Sequence, residues 1–501
     1  MRGPGYLPRS SSRNAFKPSP ALCTIPILRS IKAISKWDQD PHYVCAPLGA
    51  ESHARHPHGI DIDKKRELVY QVIEHSGLRW NQDRSGFEVA LTTDEESGML
   101  LVYDISKSNK PKIVDGFLLG HGAHEVAVNE NNGKVFQGNH EDSPGVQPNI
   151  WVDVIDRNSR NPYGFIDTGF YNAIQGIEVD ERLNQVFGTT HVGEKMFAFD
   201  GNCKPRPNHR PTIVDYNLDP DVEEWFVEKA MGENCILYNV DLRAPFLEQV
   251  ADAQALFDYV DSEITEAIAV GEEPSDLPSV LHTHDLTVDA DHHIAYQTVH
   301  GIEHAEHTGS PEEASLPPEE EPVVEEPPVD EQPATDEAAA EVTIMGRWVA
   351  AVDVNPRSRT FKQVRYIDLS NGWDALTYPS AEDLPEGTPF DEMFVHAHWV
   401  AADPDRESLL VSGEHTGNLG VVETGSRYGP KLEQVIGISR SMPDCVPPVD
   451  ETGAPVVPEP HVHGVQIDPQ NGRAYVSDEG EDCFYESVTI LDPKRGKGRN
   501  H

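Results

Sequence analysis

Histidines recur at two fixed positions along this chain, and they are the residues with the clearest chemical meaning. The sequence has 23 histidines among 501 residues. One set precedes or opens a short alternating strand: His56, His58, His121, His124, His282, His284, His396, His398, His461 and His463. A second set closes the strand that follows: His75, His140, His191, His300 and His415. Imidazole is a ligand for zinc, copper, iron and nickel, so the pattern indicates a metal site.

Six segments of the chain repeat one plan of strand, turn and strand. A turn rich in Asp, Asn and Gly joins the two strands, as between residues 460–468 and residues 474–478. The spacing between the two histidine sets is nearly constant, for example from His58 to His75 and from His124 to His140. Gln175 interrupts the first set in the third segment. Asp478 holds the second position in the sixth.

The same segments predict the fold. A third strand follows in most of them, as at residues 151–156, and a fourth can follow. Repeated units of four short antiparallel strands are typical of β-propeller blades. We therefore predict an all-β fold, a single six-bladed propeller with four-stranded antiparallel blades and a helical insertion. A seventh blade could lie within residues 201–281 or 356–392, which are long for connections alone.

The strand pattern resembles the YVTN-type propeller repeat. In that repeat the first strand begins Pro-x-Gly-Ile-Ala-Val and the second reads Tyr-Val-x-Asn. The resemblance covers roughly residues 40–492, apart from the insertions. It implies a propeller and carries almost no information about function.

Propeller geometry should bring both histidine sets together. The first strand of a blade is innermost, and its start lies at the same sheet edge as the end of its antiparallel neighbour. Crowded imidazoles without a metal would be unsatisfied, or would repel one another when protonated. A structural ring and a pH-sensing cluster are the alternatives to a metal site. The predicted metal ligands are His56, His58, His75, His124, His140, His191, His284, His300, His398, His415 and His463.

No cysteine motif offers thiolate ligands, so the imidazoles leave copper, iron and zinc open as cofactors. So many imidazoles suggest two ions or a cluster. Nearby carboxylates could orient the ligands or act as bases; they are Glu74, Glu125, Glu141, Glu414, Asp285 and Asp478. A histidine-lined hub resembles the catalytic propeller domain of nitrous oxide reductase, which implies a multinuclear copper centre. On this resemblance copper is the predicted cofactor, with iron and zinc as alternatives. That enzyme also carries a cupredoxin domain, which is not expected here, so nitrous oxide reduction itself is not predicted.

The leading functional prediction is a copper- or iron-dependent oxidoreductase that acts on a small molecule, with its catalytic residues unidentified. A zinc or copper carrier is the alternative, with His304 and His307 in a capture arm. A non-catalytic scaffold is a third hypothesis. The expected partners are a metal ion or a small-molecule substrate.

Acidic residues outnumber basic ones by 85 to 40, which gives a net charge of −45. Such a surface repels nucleic acids, so no nucleic-acid partner is expected. No run approaches the roughly 18–20 apolar residues that span a bilayer, so we expect a soluble protein. The compartment stays open: periplasmic, extracellular, or organellar if residues 1–37 form a transit segment.

The predicted domain organisation has four parts. Residues 1–37 carry seven basic and no acidic residues and form an extension or targeting segment. Residues 38–500 form the propeller, with a strand near residues 43–49 closing the ring. Residues 201–281 contain the helical insertion. Residues 309–342, which lack Lys, Arg and aromatic residues, form a disordered acidic loop.

Overall fold

The computed structural model describes the chain in eighteen stretches. They are residues 57–73, 78–80, 87–89, 98–106, 112–118, 123–139, 151–156, 163–168, 174–191, 193–203, 235–270, 279–304, 343–369, 396–425, 430–439, 462–467, 472–478 and 487–491. These stretches contain five four-stranded sheets and a three-stranded sixth, all antiparallel. The first strand of each sheet contacts the first strand of the next, from the first sheet to the sixth. This is the arrangement of propeller blades, so the predicted all-β fold is confirmed.

The blades follow one another along the chain. Blade 1 contains β1 (Pro57–Asp63), β2 (Leu68–Ile73), a ribbon of β3 (Leu78–Trp80) and β4 (Phe87–Val89), β5 (Met99–Asp104) and β6 (Lys112–Leu118). Blade 2 contains β7 (Ala123–Asn129), β8 (Lys134–Asn139), β9 (Trp151–Asp156) and β10 (Tyr163–Asp167). Blade 3 contains β11 (Ile174–Asp180), β12 (Gln185–Thr190), β13 (Lys195–Asp200) and β14 (Ile236–Asp241).

Two helices, α1 (Arg243–Gln249) and α2 (Ala253–Val270), separate blade 3 from blade 4. Blade 4 contains β15 (Ser279–Asp289), β16 (Ile294–His304), β17 (Thr343–Asp353) and β18 (Val364–Asp368). Blade 5 contains β19 (Ala397–Asp403), a 3-10 turn (Pro404–Arg406), β20 (Ser408–Gly413), β21 (Asn418–Glu423) and β22 (Lys431–Gly437). Blade 6 contains β23 (Val462–Ile467), β24 (Ala474–Asp478) and β25 (Ser487–Leu491).

An Asp at the end of the first strand builds the turn that follows it. In blade 3, Oδ1 of Asp180 accepts the N–H groups of Arg182 and Leu183, each at 2.9 Å. Asn184 then takes a left-handed conformation with φ of 53°, which Asn tolerates better than most residues. Oδ2 of Asp180 also lies 2.7 Å from Nδ1 of His293 in blade 4. The turns therefore join neighbouring blades at the edge opposite the histidine sets.

Apolar side chains fill the space between successive blades. Tyr70 and Leu100 of blade 1, for example, form one buried cluster with Val126 and Val128 of blade 2. Every residue of β7 and β8 is buried. Inner strands enclosed on both faces have little freedom to shift, so the residues at their ends are held in fixed positions.

The predicted helical insertion is present, and it packs on the propeller. Phe246 of α1 is fully buried, with ring centroids 5.0 Å from both Trp348 and Tyr366 of blade 4. Leu256 and Phe257 of α2 complete the apolar face. The part of residues 201–281 that the structure describes supplies β14, the outer strand of blade 3, and these helices rather than a seventh blade. No helix in the described stretches has the length and apolarity needed to cross a membrane.

A disulfide joins Cys203, after β13, to Cys235, before β14. Three regions of the predicted organisation lie outside the described residues: the basic segment 1–37, the ring-closing strand near residues 43–49 and the acidic loop 309–342. These assignments stay predictions.

Candidate metal centre

A β-bulge occurs at the same place in all six blades. In blade 1, Pro57 pairs with Ile73 and Ile60 with Gln71, so two residues of β1 face one residue of β2. The first residue of each bulge is His58, His124, Gln175, His284, His398 or His463. Bulges break the regular alternation of a strand and redirect side chains. The inner histidines predicted from the sequence therefore occupy one equivalent position in five of the six blades.

The bulges of neighbouring blades approach each other closely. A Cβ atom at Gly176 would lie 2.7 Å from the backbone oxygen of His284, so only glycine fits there without displacement. The imidazole of His284 lies 3.7 Å from that of His398, between ring centroids, and 5.1 Å from that of His124. His398 in turn lies 4.4 Å from His463. The bulge residues of separate blades thus form one cluster.

Hydroxyl groups opposite the bulges join one blade to the next. The residue facing each bulge comes 14 positions after the bulge residue: Val72, Gly138, Thr189, Thr298, Ser412 and Ser477. Thr298 accepts the N–H of Asp285 at 2.9 Å and donates to the backbone oxygen of His398 at 2.6 Å. In blade 6, Ser477 accepts the N–H of Gly464 at 2.8 Å. Side-chain hydroxyls thus hold the bulge backbone, and Thr298 and Ser412 do so at His398 and His463.

Glu414 lies at the centre of the best-defined donor cluster. Its Oε2 atom is 3.1 Å from Nε2 of His300, 3.0 Å from Nδ1 of His396 and 3.7 Å from Nε2 of His398. Two groups of donor atoms, each within 4.8 Å of one another, contain this carboxylate. One comprises His300, His396 and Glu414, and the other comprises His398, Glu414 and His463.

The strand register explains why a glutamate holds this place. Gly413 pairs with Ala397 just as Val299 pairs with Thr283, so Glu414 is the counterpart of His300. His415, which the sequence spacing predicts at that position, lies one residue farther on. The ring of His415 stacks on His396 at 4.2 Å but belongs to neither Glu414 group. Asp478 pairs with Val462 and lies one residue before the counterpart of His300.

A separate donor group comprises His191, His282 and Glu303. Nδ1 of His282 lies 2.9 Å from Oε1 of Glu303, and Nε2 of His191 lies 3.9 Å from the same oxygen. Each of these three side chains is buried. This group combines two imidazoles with one carboxylate, as each Glu414 group does.

Four of the eleven predicted ligands fall within these three donor groups: His191, His300, His398 and His463. His284 belongs to none of the groups, but its ring lies against that of His398. His124 contacts His284 but joins no group among the described side chains. His58 is described in its backbone only, and His56, His75 and His140 lie outside the described residues. The structure adds His282, His396, Glu303 and Glu414. The His-x-His pairs already marked the two histidines, whereas Glu303 follows no repeated position.

Burial keeps the central imidazoles neutral. It lowers the pKa of His284, His396 and His398 well below that of a solvated imidazole, and neighbouring histidines add to the effect. The pKa of His300 is lowered for the same reason. Burial would raise the pKa of Glu414, but the imidazoles around it outweigh burial and hold that pKa well below its usual range. Neutral imidazoles and an ionised carboxylate are the forms that bind metal ions.

The residues present fit a metal ion. The Nδ1 atoms of His284 and His398 are buried and have no hydrogen-bond partner among the described residues. Buried polar atoms without a partner are costly unless another ligand satisfies them. The donor set contains nitrogen and oxygen and no thiolate, which suits iron, zinc and copper(II) rather than copper(I). The structure therefore contains His/Glu clusters that could hold metal ions.

No protein-family model matches the chain, and no curated protein matches it. A Lactobacillus plantarum protein of solved structure is 10% identical, with a TM-score of 0.40 over 87% of this chain and 84% of that one. The periplasmic gluconolactonase of Pseudomonas aeruginosa is 10% identical, with a TM-score of 0.34 over 77% and 85% of the two chains. Kuenenia stuttgartiensis hydrazine synthase is 10% identical, with a TM-score of 0.34 over 89% and 98%. Similarity at this level assigns neither family nor function, so the YVTN-type and nitrous oxide reductase resemblances stay hypotheses.

Proposed function

We propose that the protein is a metal-dependent oxidoreductase whose centre holds two transition-metal ions on either side of Glu414. The observation that carries this proposal is that a single buried carboxylate belongs to two His₂–carboxylate groups. A carboxylate offers two oxygens, so Glu414 can supply one ligand to each of two ions. His300 and His396 would complete one site, and His398 and His463 the other.

Iron is the metal that this donor set favours. Two histidines and one carboxylate with open coordination positions are typical of non-haem iron(II) oxygenases. Copper, which the resemblance to the nitrous oxide reductase catalytic domain implies, is the alternative. Zinc also accepts two histidines and a glutamate. When bound, iron or copper would supply activation of a small oxidant, which is the chemistry that the side chains lack.

The burial of the centre supports a small substrate. His396, His398 and Glu414 are 7%, 3% and 5% exposed, so a bulky molecule could not reach the donor atoms directly. Burial keeps the imidazole donors neutral and excludes bulk water from them. Thr298 and Ser412 hold His398 and His463 in place through hydrogen bonds to their backbone oxygens. Low dielectric around a metal site strengthens every charge interaction within it.

A metal carrier is the second candidate, and one observation favours it. Imidazoles beyond those in the Glu414 groups surround the centre, including His284 against His398 and His415 against His396. Extra donors could pass an ion from one ligand set to the next. A carrier should release its metal to a chelator within minutes, whereas an enzyme centre of buried ligands should retain it.

Elemental analysis and absorption spectroscopy on protein purified without a nickel column test the proposal. We expect two iron or copper ions per chain, with visible bands, in the wild type and loss of both in Glu414→Gln. Glu181→Gln, at the opposite edge of blade 3, is the control and should retain the metal. Unchanged metal content in Glu414→Gln would contradict the assignment. Readily exchanged, colourless zinc that is lost in Glu414→Gln would favour the carrier.

A further inference from the structure

We propose that His191, His282 and Glu303 form a second metal site, occupied separately by a divalent ion of the zinc type. The site lies at the boundary of blades 3 and 4. It shares no donor residue with the Glu414 groups, although Nδ1 of His282 lies 3.3 Å from Nδ1 of His300, and it does not depend on the function proposed for them. Two imidazoles and one carboxylate leave a tetrahedral ion one open position for water or a ligand.

The strand register places two of the three donors on one face of a hairpin. His282 of β15 pairs with Gly301 of β16, and Glu303 lies two residues beyond Gly301 on the same strand. Because side chains two residues apart share a face, Glu303 is a diagonal neighbour of His282. The 2.9 Å separation of Nδ1 and Oε1 follows from this register.

The hairpin that carries these donors is an elaboration of blade 4. Strand β15 has 11 residues, whereas the first strands of the other five blades have six or seven. The additional pairs begin beyond the bulge and run from Ser279 opposite His304 to His282 opposite Gly301. The repeated blade plan accounts for His191 and His282 but not for Glu303, which lies on the additional part of the hairpin. The extension of the sheet completes the donor group by adding this carboxylate.

The helical insertion fixes the beginning of this extension. Arg243 of α1 donates to the backbone oxygen of Ser279 at 3.0 Å and to Oε1 of Glu194 at 2.9 Å. The same Glu194 oxygen accepts the N–H of Leu281 at 3.0 Å. Asp261 of α2 accepts the N–H of Ser279 at 3.1 Å. Three polar side chains thus hold a short stretch of strand whose next residue is His282.

The third donor is fixed from the neighbouring blade. The backbone oxygen of His191 accepts the N–H of Thr283 at 3.2 Å. The hydroxyls of Thr189 and Thr283 lie 2.6 Å apart across the same boundary. The rings of His191 and His282 are 3.9 Å apart at an angle of 73°. Two blades therefore present preorganised donors to one point, which lowers the cost of ordering them on binding.

Zinc titration of metal-free protein tests the assignment, with stoichiometry by calorimetry and Co²⁺ absorption as an independent readout. Glu414→Gln protein should still bind one Zn²⁺ per chain, and the double variant Glu414→Gln/Glu303→Gln should bind none. His191→Gln, which removes the donor on blade 3, should also abolish binding of this Zn²⁺ ion. His292→Gln, whose side chain is 57% exposed at the opposite edge, is the matched control and should retain it.

The outcomes separate this site from the Glu414 centre. If Glu303→Gln and His191→Gln both bind as many ions as the wild type, the second site is overturned and the Glu414 centre is unaffected. If Glu414→Gln binds as many ions as the wild type, the proposed oxidoreductase centre fails instead. Circular dichroism and thermal unfolding of each variant exclude loss of the fold as the reason for a lost ion.

Discussion

The hydroxyl of Ser412 donates a 2.9 Å hydrogen bond to the backbone oxygen of His463 in the next blade. It also accepts the N–H of Trp399, at 2.9 Å, within its own blade. A single buried hydroxyl therefore accepts a backbone N–H of the bulge in blade 5 and positions a candidate metal ligand in blade 6. Thr298 makes the equivalent pair of bonds for His398.

Ser412→Ala should weaken metal binding although it removes no ligand. Outer hydrogen-bond partners of metal ligands typically contribute about 10–100-fold to affinity. Loss of the hydroxyl also leaves buried backbone groups without this bond, which should cost about 1–3 kcal/mol of stability. Metal affinity by competition titration and the free energy of unfolding in urea measure the two effects.

Ser358→Ala is the control for the Ser412 variant, because its hydroxyl bonds Thr360 in an exposed turn. It should change metal affinity by less than about 2-fold and stability by less than about 0.5 kcal/mol. Equal metal affinity in Ser412→Ala and the wild type would refute a positioning role for this hydroxyl.

Adjacent residues in blade 5 should differ sharply in their effect on metal binding. Glu414 belongs to two donor groups and His415 to none, because Gly413 rather than Glu414 pairs with Ala397. Glu414→Gln should remove the ions of the Glu414 centre, whereas His415→Gln should retain them. Elemental analysis of the two variants measures the difference. Loss of metal in His415→Gln but not in Glu414→Gln would show that His415, not Glu414, is the ligand.

The blade repeat and the inner histidines could be predicted because strand alternation and the His-x-His pairs recur along the chain. The exact position of the donors that follow the second strand of each blade could not be predicted. The interval from His284 to His300 is one residue shorter than that from His398 to His415, and only the bulge register shows that Glu414 is the true counterpart.

Features that occur in one blade alone could not be predicted from the sequence for a different reason. Glu303 lies on an extension found in blade 4, so no comparison between blades marks it. Strand β14 lies between a long insertion and α1, where its alternation is hard to distinguish from the surrounding sequence.

Stability should fall as pH rises through the range in which Asp61 loses its proton. Burial raises the pKa of this carboxyl from 3.8 to about 6, although the N–H groups of Ile62 and Val128 oppose the shift. Between about pH 4 and 6 the folded state binds the proton more tightly than the unfolded chain. The stabilisation from Asp61 is therefore complete below about pH 4 and is lost as pH rises through about 6.

Asp61→Asn removes this titration and serves as the test. Relative to the wild type, the variant should become progressively more stable from about pH 4 to 7, by at most about 3 kcal/mol. Urea denaturation at several pH values measures the difference. Parallel stability curves for the two proteins would mean that Asp61 does not titrate in this range.

Phe246→Ala should destabilise the protein by about 3–5 kcal/mol, because it removes a fully buried ring between the insertion and blade 4. Thermal and urea unfolding measure the loss. Phe361→Ala is the control, since that ring is half-buried and contacts Tyr238 at 5.1 Å between centroids. An equal effect of the two substitutions would show that the helices add little to the core.

The bulge shared by all six blades allows the metal-ligand residues to be substituted without altering the sheets. Its first residue forms no pair with the neighbouring strand in any of the six blades, so sheet pairing places little demand on which side chain it carries. Five blades use histidine and the third uses Gln175. Evolution or design can therefore change the ligand count one blade at a time and adapt one scaffold to different ions while its sheets stay the same.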